Sequence, residues 1–416
     1  MFFDLKSKPG LRNHRRPLTC ASCGLYKSVL SPKILPYGKG QKGILNIGEA
    51  PGESEDRRGK PWQGKAGRRL QFELSRLKID LFEDCLNTNS VNCRPPNNNT
   101  PTGFEIDCCR AKIVNPAIQE YKPKVIILYG SSALDSIMRL IWGSGFGGIS
   151  KWRGFTIPCR QNNAWVCPVF HPSYVERMDQ QEITTIWRQD LKRAISRINE
   201  PFPNVNGNEN SVTLLEDFES IESTLRRIIN GDEGNLVAFD YETTGVKPQG
   251  KEHRIVAVSL STGKNTYAFI WPKDSYRCLH LWKRFLKSNK IGKIAHNIKF
   301  EHAWSVVHLD TEPQNWVLDT MLAAHLIDNR TGITGLKFQT YINFGVVGYD
   351  SEINPYLKGM DSKNANSLNS IDKFIKYYGS RKLLVYCGLD SLFTFQLAQK
   401  QLDSLDRIYV SQINNL

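Results

Sequence analysis

Two pairs of side chains occur at spacings that bring each pair to one face of its element. Asp240 and Glu242 are two residues apart in an apolar run typical of a strand, whose period of two directs both carboxylates to the same face. Tyr386 and Asp390 are four residues apart in a helical stretch and also share a face. Carboxylates that converge repel one another unless cations neutralise them, so the two pairs together favour a divalent-metal site. The alternative is a solvated acidic pair and a tyrosine in the core.

A glycine-rich segment offers a second place for chemistry. Gly48-Glu49-Ala50-Pro51-Gly52 directly follows an apolar run, and glycines continue as far as Gly67. Because α/β folds bind ligands beyond the carboxyl ends of their strands, Glu49 is expected in such a crevice. Glycines there allow the backbone to approach a substrate closely. The alternative is a tight surface turn with solvated acids.

Cysteines supply a third pattern. The chain has 10 of them, and Cys20 and Cys23 are separated by two residues, a spacing that suits a soft metal such as zinc or the iron of an iron–sulfur cluster. The alternative is that they are buried free thiols. That alternative is our interpretation for the following five residues: Cys85, Cys159, Cys167, Cys278 and Cys387.

The elements around these residues predict α/β architecture on both sides of a linker. The stretch from about Asn199 to Ser211 is dense in turn-forming residues and poor in apolar ones, which predicts domains at 1–200 and 212–416 joined by a linker at 201–211. Buried strands are predicted at 43–47, 125–129, 165–170 and 236–239, and a hairpin at 254–271. Helices are predicted at 131–142, 183–198, 299–307, 319–327 and 381–401.

Composition narrows the class of protein. A length of 416 residues suggests two or three domains, and the formal net charge of +14 with abundant aromatic residues suits a surface that meets phosphates and stacks on bases. The sequence contains neither a secretory signal nor an apolar run long enough for a membrane span. We therefore expect a cytoplasmic protein with no membrane partner, whose cysteines serve as metal ligands or core residues.

Over about the first 200 residues, the chain resembles the family 4 uracil-DNA glycosylases. Three blocks match in order: the glycine-rich segment from Gly48 to Gly67, the run Asn89-Ser90-Val91-Asn92-Cys93-Arg94-Pro95-Pro96, and His171-Pro172-Ser173. The resemblance implies a three-layer α/β/α domain that flips uracil out of DNA and cleaves its N-glycosidic bond.

Roles for individual residues follow from this resemblance. Asn89 reads the edge of uracil through its amide, and Trp62, where the family usually has Phe, stacks on the flipped base. Glu49 stabilises the cationic sugar or holds the attacking water. His171 hydrogen-bonds the leaving uracil oxygen. A further departure from the family is Asn99, where Arg is common.

The resemblance also implies a 4Fe-4S cluster with a structural role. Its ligands would be Cys20, Cys23, Cys93 and Cys109, the last followed by Arg110 as in the family's fourth ligand block. Zinc stays open as the alternative metal. Cys108 stays open as the alternative fourth ligand.

From about residue 212 to the end, the chain resembles the 3′→5′ proofreading exonuclease domain of family A DNA polymerases, with its ribonuclease H-like, DnaQ-type fold. The matching motifs are Phe239-Asp240-Tyr241-Glu242, His296-Asn297-Ile298-Lys299-Phe300-Glu301 and Tyr386-Cys387-Gly388-Leu389-Asp390. Glu301 stands where that family usually has Asp. Asp319 is a nearby acid that we interpret as a support for the fold.

The second resemblance implies hydrolysis of phosphodiesters with two metals. Asp240, Glu242, Glu301 and Asp390 would hold Mg²⁺ or Mn²⁺, and Tyr386 would orient the attacking water.

The two resemblances together predict a bifunctional DNA enzyme that acts on uracil-containing DNA and on single-stranded or frayed 3′ ends. Since no polymerase elements follow residue 416, we expect a separate DNA polymerase partner, as in a bacteriophage-like replication system in the cytoplasm of a bacterial host. The alternative is a non-catalytic, DNA-holding processivity subunit that uses the glycosylase fold as a clamp. A repair nuclease acting on abasic ends is a third interpretation.

Overall fold

The computed structural model describes residues 12–203, 209–361, 363–364 and 366–413, with side chains described as far as residue 406. The chain forms two compact units. The first contains the described residues up to 203 together with Tyr341–Val347, and the second contains the described residues from 209 to 340 and from 348 onward. Residues 204–208 of the predicted linker lie outside the described residues.

The first unit is built on a five-stranded sheet with the order β2-β1-β3-β5-β4. Every pairing is parallel except that of β4 with β5. The strands are β1 (Ile44–Gly48), β2 (Cys85–Asn89), β3 (Val125–Tyr129), β4 (Ile157–Cys159) and β5 (Ala164–Val169). The three strands predicted here from apolar runs are confirmed as β1, β3 and β5.

Helices cover both faces of this sheet. They are α1 (Glu53–Arg58), α2 (Lys65–Arg76), α3 (Gly103–Cys109), α4 (Asn115–Tyr121), α5 (Gly130–Ile141), α6 (Ile149–Trp152), α7 (Pro172–Met178) and α8 (Gln181–Ser196). Val125, Ile127 and Tyr129 of β3 share a core with residues of α2 and α8. Ile126 and Leu128 are equally buried and point to the other face, since side chains alternate along a strand. The unit is therefore the three-layer α/β/α domain expected from the sequence.

The second unit contains a six-stranded sheet with the order β11-β10-β7-β8-β9-β6. Its strands are β6 (Thr213–Leu214), β7 (Leu236–Thr243), β8 (Ile255–Ser261), β9 (Thr266–Ile270), β10 (Gly292–Ala295) and β11 (Trp316–Asp319). An antiparallel meander, β7-β8-β9, continues on its other side into parallel β10 and β11. This strand order agrees with the ribonuclease H-like fold expected from the sequence.

Eight helices of the described residues begin within the second unit. They are α9 (Phe218–Asn230), α10 (Tyr276–Lys287), α11 (Ile298–Leu309), α12 (Thr320–Ile327), α13 (Leu336–Phe344), α14 (Asn354–Leu357), α15 (Ile371–Tyr378) and α16 (Ser380–Ile413). The three predicted helices are confirmed as α11, α12 and α16, the last continuing 12 residues beyond the predicted end at residue 401. None of the helices in the described ranges has the length and apolar character needed to cross a membrane.

Candidate active sites and cysteine cluster

The carboxyl edge of the first sheet carries the residues predicted for base excision. Glu49 directly follows β1, Asn89 ends β2, and His171 follows β5 as the N-cap of α7. Parallel β1 and β2 are paired in register with Gly48 opposite Asn89. Together with Trp62 from the glycine-rich loop, these side chains line a cavity of about 360 Å³. The structure thus brings all four predicted residues to one concave site.

Glu49 and Asn89 are held by hydrogen bonds with neighbouring side chains. Ser132 Oγ donates to Glu49 Oε2 at 3.3 Å, and Ser90 Oγ donates to the Glu49 carbonyl at 2.5 Å. The Asn92 amide accepts from the Asn89 backbone N–H at 3.3 Å and donates to its carbonyl at 2.8 Å. The Asn89 side-chain amide makes no hydrogen bond with any described residue, so both its donor and its acceptor are available to a ligand.

Glu55 shapes the loop that presents Trp62. Its Oε1 accepts from the backbone N–H groups of Gln63 and Gly64, each at 2.7 Å, and its Oε2 accepts from Gly52 at 3.1 Å. Trp62 itself adopts a left-handed backbone conformation with φ of 60°. Its ring stacks on His171 with centroids 5.6 Å apart and planes inclined by 25°. The predicted base-stacking residue therefore also packs directly on the predicted uracil-contacting histidine.

His171 is fixed in one neutral form. Its Nδ1 accepts from the Ser173 backbone N–H at 3.2 Å and lies 2.7 Å from Ser173 Oγ, so the ring proton belongs on Nε2. Burial, reinforced by the Arg177 cation, lowers the pKa of His171 to about 4. Arg177 also donates to Ser173 Oγ at 3.3 Å. Ser173 and Arg177 line the same cavity, and our sequence analysis gave neither of them a role.

Three of the predicted cluster ligands, Cys23, Cys93 and Cys109, lie together in one small apolar cluster. The Lys33 backbone N–H donates to Cys93 Sγ at 3.2 Å, and a backbone N–H of Asn92 is directed at the Cys109 sulfur. Burial raises the pKa of Cys109 to about 12, with further contributions from the nearby thiols of Cys23, Cys93 and Cys20. The four thiols predicted as ligands therefore occupy one region.

The spacing of these sulfur atoms bears on the kind of metal group. A tetrahedral zinc site, with Zn–S of about 2.3 Å, places its sulfur atoms about 3.8 Å apart. Among the described residues, no three of these cysteine sulfurs lie within 4.8 Å of one another. The sulfurs are thus not gathered as a zinc site requires. Thiols in one apolar region, with N–H groups directed at two of the sulfurs, are the kind of donors that an iron–sulfur cluster uses. Cys108 lies outside the apolar cluster that contains Cys93 and Cys109.

The second site lies between the central strand β7 and helix α16. Ligand atoms of Asp240, Glu242 and Cys387 all lie within 4.8 Å of one another. Burial raises the pKa of Asp240 and of Glu242, and the neighbouring acids raise it further, with Asp390 acting on both. Glu301, in the first turn of α11, is 2% exposed, and its pKa is raised by burial and then by Asp240. Asp240 and Glu242 therefore lie together, and Asp390 and Glu301 lie near enough for charge interactions with Asp240.

A buried carboxylate oxygen supports cation binding at this convergence. Glu301 Oε2 is buried and has no hydrogen-bond donor among the described residues. A buried unpaired oxygen is costly, and a divalent cation would satisfy it while removing the repulsion between the acids. Glu301 is close enough to Asp240 and Glu242 for their charges to raise its pKa.

Tyr386 and two further side chains complete the site. Burial and neighbouring acids raise the pKa of Tyr386, so its hydroxyl keeps its proton. Lys337, from α13, donates to Asp390 Oδ1 and also, at 3.0 Å, to the Tyr349 hydroxyl. Tyr349 in turn donates to Asp390 Oδ1 at 2.7 Å. Sequence reasoning missed Lys337 and Tyr349.

Cys387 is buried and free, as interpreted from the sequence, but it lies against the acids. Its Sγ is 3.8 Å from Asp240 Oδ2. Asp319 behaves as the sequence analysis proposed: its carboxylate accepts from backbone N–H groups at the starts of two helices, α11 and α12. It therefore fixes where α11 begins and, with it, where Glu301 lies.

Comparisons with known proteins divide the chain at the same place. Residues 35–192 match the model of the uracil DNA glycosylase superfamily, and residues 215–406 match that of a 3′-5′ exonuclease family. The type-4 uracil-DNA glycosylase of Thermotoga maritima is 35% identical over 179 residues, covering 43% of this chain and 89% of that protein. The corresponding enzyme of Pyrobaculum aerophilum is 37% identical over 166 residues, 39% of this chain and 83% of that protein.

A DNA polymerase of Bacillus phage SP01 matches across both parts. It is 26% identical over 407 residues, which cover 87% of this chain and 40% of that polymerase. Among solved structures, Brucella melitensis NrnC is similar with a TM-score of 0.31 and 25% identity, over 42% of this chain and 74% of that chain.

Proposed function

Because the chain belongs to the type-4 uracil-DNA glycosylases through its N-terminal part and carries a 3′-5′ exonuclease domain after it, we propose that it is a bifunctional hydrolase acting on DNA. It excises uracil and removes nucleotides from single-stranded or frayed 3′ ends. The observation that carries the proposal is that each unit gathers its own set of predicted groups: Glu49, Asn89 and His171 around one cavity, and four acids with Tyr386 in the other unit.

Uracil excision requires groups directed at the charges that develop as the N-glycosidic bond breaks. The bonding electron pair leaves with uracil, and the sugar becomes cationic. The neutral His171 donates from Nε2 to the uracil oxygen that gains charge, and Asn89 pairs with the edge of the base. Glu49 faces the sugar, where it stabilises the positive charge and orients the water that adds to C1′. The proton of that water leaves to solvent.

The cysteines at positions 20, 23, 93 and 109 hold a 4Fe-4S cluster in this proposal. When bound, the cluster supplies a covalent cross-link and no electron, since the hydrolysis is redox-neutral. Its ligands tie the segment around Cys20 and Cys23 to Cys93, which follows β2, and to Cys109 at the end of α3. That connection positions the loop directly after Asn89.

Removal of 3′ nucleotides uses the acids of the second unit. Asp240, Glu242, Glu301 and Asp390 would hold Mg²⁺ or Mn²⁺, which would supply the positive charge that hydrolysis of a phosphodiester needs. Tyr386 keeps its proton at neutral pH and orients the attacking water through its hydroxyl.

We further propose that the protein works beside a separate DNA polymerase in a bacteriophage-like replication system. The similarity to the phage DNA polymerase, which spans both parts of this chain, supports a role beside DNA synthesis. Uracil excision and 3′ trimming would then act on the DNA that the polymerase handles.

One substrate tests both activities: a single-stranded oligonucleotide with an internal uracil and a free 3′ end. We expect wild-type protein to release uracil with or without EDTA, and 3′ nucleotides only with Mg²⁺ or Mn²⁺. Glu49→Gln should lower uracil release by about 100-fold or more and leave nucleotide release intact. Asp240→Ala should do the reverse, so each variant controls for the folding of the other.

Tight binding of this oligonucleotide with neither product would overturn the proposal. That outcome would favour the alternative of a non-catalytic, DNA-holding subunit whose glycosylase fold serves as a clamp.

A further inference from the structure

Lys337 is a cation inside the acid cluster of the exonuclease unit. Its Nζ donates to Asp390 Oδ1 and to the Tyr349 hydroxyl, and lies 4.4 Å from the centroid of the Tyr386 ring. Its side chain is 28% exposed, against 9% for Asp390, so it reaches into the site from the solvent side. Lys337 therefore contacts both the proposed metal ligand and the residue proposed to orient water.

The balance of charges in the site indicates a role for Lys337. Four ionised acids and two divalent cations balance one another, which leaves the ammonium of Lys337 in excess when metals are bound. The phosphodiester brings a negative charge that grows in the transition state, and a cation already at the site matches it. Without metals, the same ammonium pairs with Asp390 and offsets part of the repulsion among the acids.

The contact with Asp390 bears on whether Lys337 can serve both roles at once. Asp390 Oδ1 already accepts from Lys337 and from Tyr349 at 2.7 Å, so a metal ion that binds this oxygen must displace one of these donors. The Tyr349 hydroxyl, 3.0 Å from Nζ, offers Lys337 a second partner that no metal requires.

We propose that Lys337 exchanges partners: it neutralises Asp390 while the metal site is empty, and it pairs with the phosphate of the 3′ nucleotide once metals occupy the acids. This inference rests on the proposed exonuclease function and adds a phosphate-contacting residue to that site. A lysine that only stabilises the fold would influence neither metal affinity nor the handling of the phosphate.

The test compares Lys337→Gln with Lys337→Arg, and with Lys273→Gln as a control at an exposed lysine of the same unit. Mn²⁺ binding to the full-length protein is measured by titration calorimetry, with Asp240→Ala defining the signal of the acid site. Lys337→Gln should bind Mn²⁺ about tenfold more tightly, because a competing cation is gone. Lys337→Arg and Lys273→Gln should bind it as wild type does.

Nucleotide release gives the second readout. With saturating Mn²⁺, Lys337→Gln should release 3′ nucleotides about 100-fold more slowly, and Lys337→Arg should recover part of that loss. Uracil release by the same preparations reports that the chain is folded.

Unchanged or weaker Mn²⁺ affinity in Lys337→Gln, or nucleotide release at the wild-type rate, would overturn the inference while leaving the exonuclease function standing. A wild-type protein that releases no nucleotides would overturn the function itself.

Discussion

The ionisation state of His171 depends on neighbours that act in different ways. The backbone N–H of Ser173 donates to Nδ1 of His171. A protonated imidazole could not accept this hydrogen bond, because both of its nitrogens carry protons. Arg177 adds a positive charge that disfavours a second cation. Glu49, in the wall of the same cavity, would favour protonation, yet burial and Arg177 keep the pKa of His171 low. The neutral ring is thus a product of the packing around α7.

Replacing Arg177 by Gln should move the acid limb of uracil excision. Without the cation, the pKa of His171 rises from about 4 toward its ordinary value, so protonation begins at higher pH. Single-turnover uracil release, measured from pH 4 to pH 8, should begin to fall at a higher pH in Arg177→Gln than in the wild-type protein. Rates near pH 8 should differ little, since the ring is neutral there in both proteins.

Arg177→Lys provides the matched control because it keeps the charge. Its pH profile should follow that of wild type. Identical acid limbs for Arg177→Gln and wild type would mean that burial alone keeps His171 neutral.

At the scale of elements, the sequence predicted those whose signal is local. The five residues of β3 are all apolar, and a strand buried on both faces is what such a run indicates. Asp240 and Glu242 on β7, and Tyr386 and Asp390 on α16, share faces as their spacing predicted.

Contacts that join distant parts of the chain were not predictable in this way. Lys337 contacts Asp390, which lies 53 residues away in the sequence. Nothing in the sequence around Lys337 indicates this partner, and the helix that carries Lys337 was not predicted. Strands β10 and β11 are too short to show a clear period of hydrophobic residues. Their positions in the sheet are set by the pairing of β10 with β7 and of β11 with β10. Arg177 is one helical turn beyond Ser173, a spacing that could have identified it once α7 was known.

The position of α16 against its sheet depends on Gly388, a glycine between the proposed catalytic residues Tyr386 and Asp390. A Cβ added to Gly388 would lie 2.4 Å from Val212 Cγ1, and Ser259 Oγ donates to the neighbouring Cys387 carbonyl at 2.7 Å. Gly388→Ala should therefore destabilise the unit by about 1–3 kcal/mol and slow nucleotide release, because α16 shifts with Tyr386 and Asp390. Thermal unfolding and nucleotide release measure the two effects.

A second substitution tests the cause. Val212→Ala removes the two Cγ atoms that the new methyl group would meet. The double variant Val212→Ala/Gly388→Ala should regain most of the lost nucleotide release relative to Gly388→Ala alone. If it does not, the loss arises from the helix itself and not from the contact with Val212.

At the scale of the whole molecule, each site is assembled within one unit. The cavity at Glu49 and His171 is lined only by residues of the first unit, and Asp240, Glu301, Lys337 and Asp390 all belong to the second. Each unit has its own sheet and its own apolar core. Damage confined to one unit should consequently leave the chemistry of the other intact.

The cysteine cluster offers the sharpest test of that independence. Cys93→Ser should lack the brown colour expected of an iron–sulfur protein, since one of the proposed cluster ligands is lost. Uracil release should fall because the loop after Asn89 is no longer tied to the N-terminal segment. Nucleotide release should stay at the wild-type rate.

Cys167→Ala is the matched control: this thiol is buried in β5, away from the four proposed ligands, so its loss should leave the brown colour and uracil release in place. A Cys93→Ser protein that keeps its iron would remove Cys93 from the ligand set. Loss of both activities together would show instead that the units depend on each other for folding.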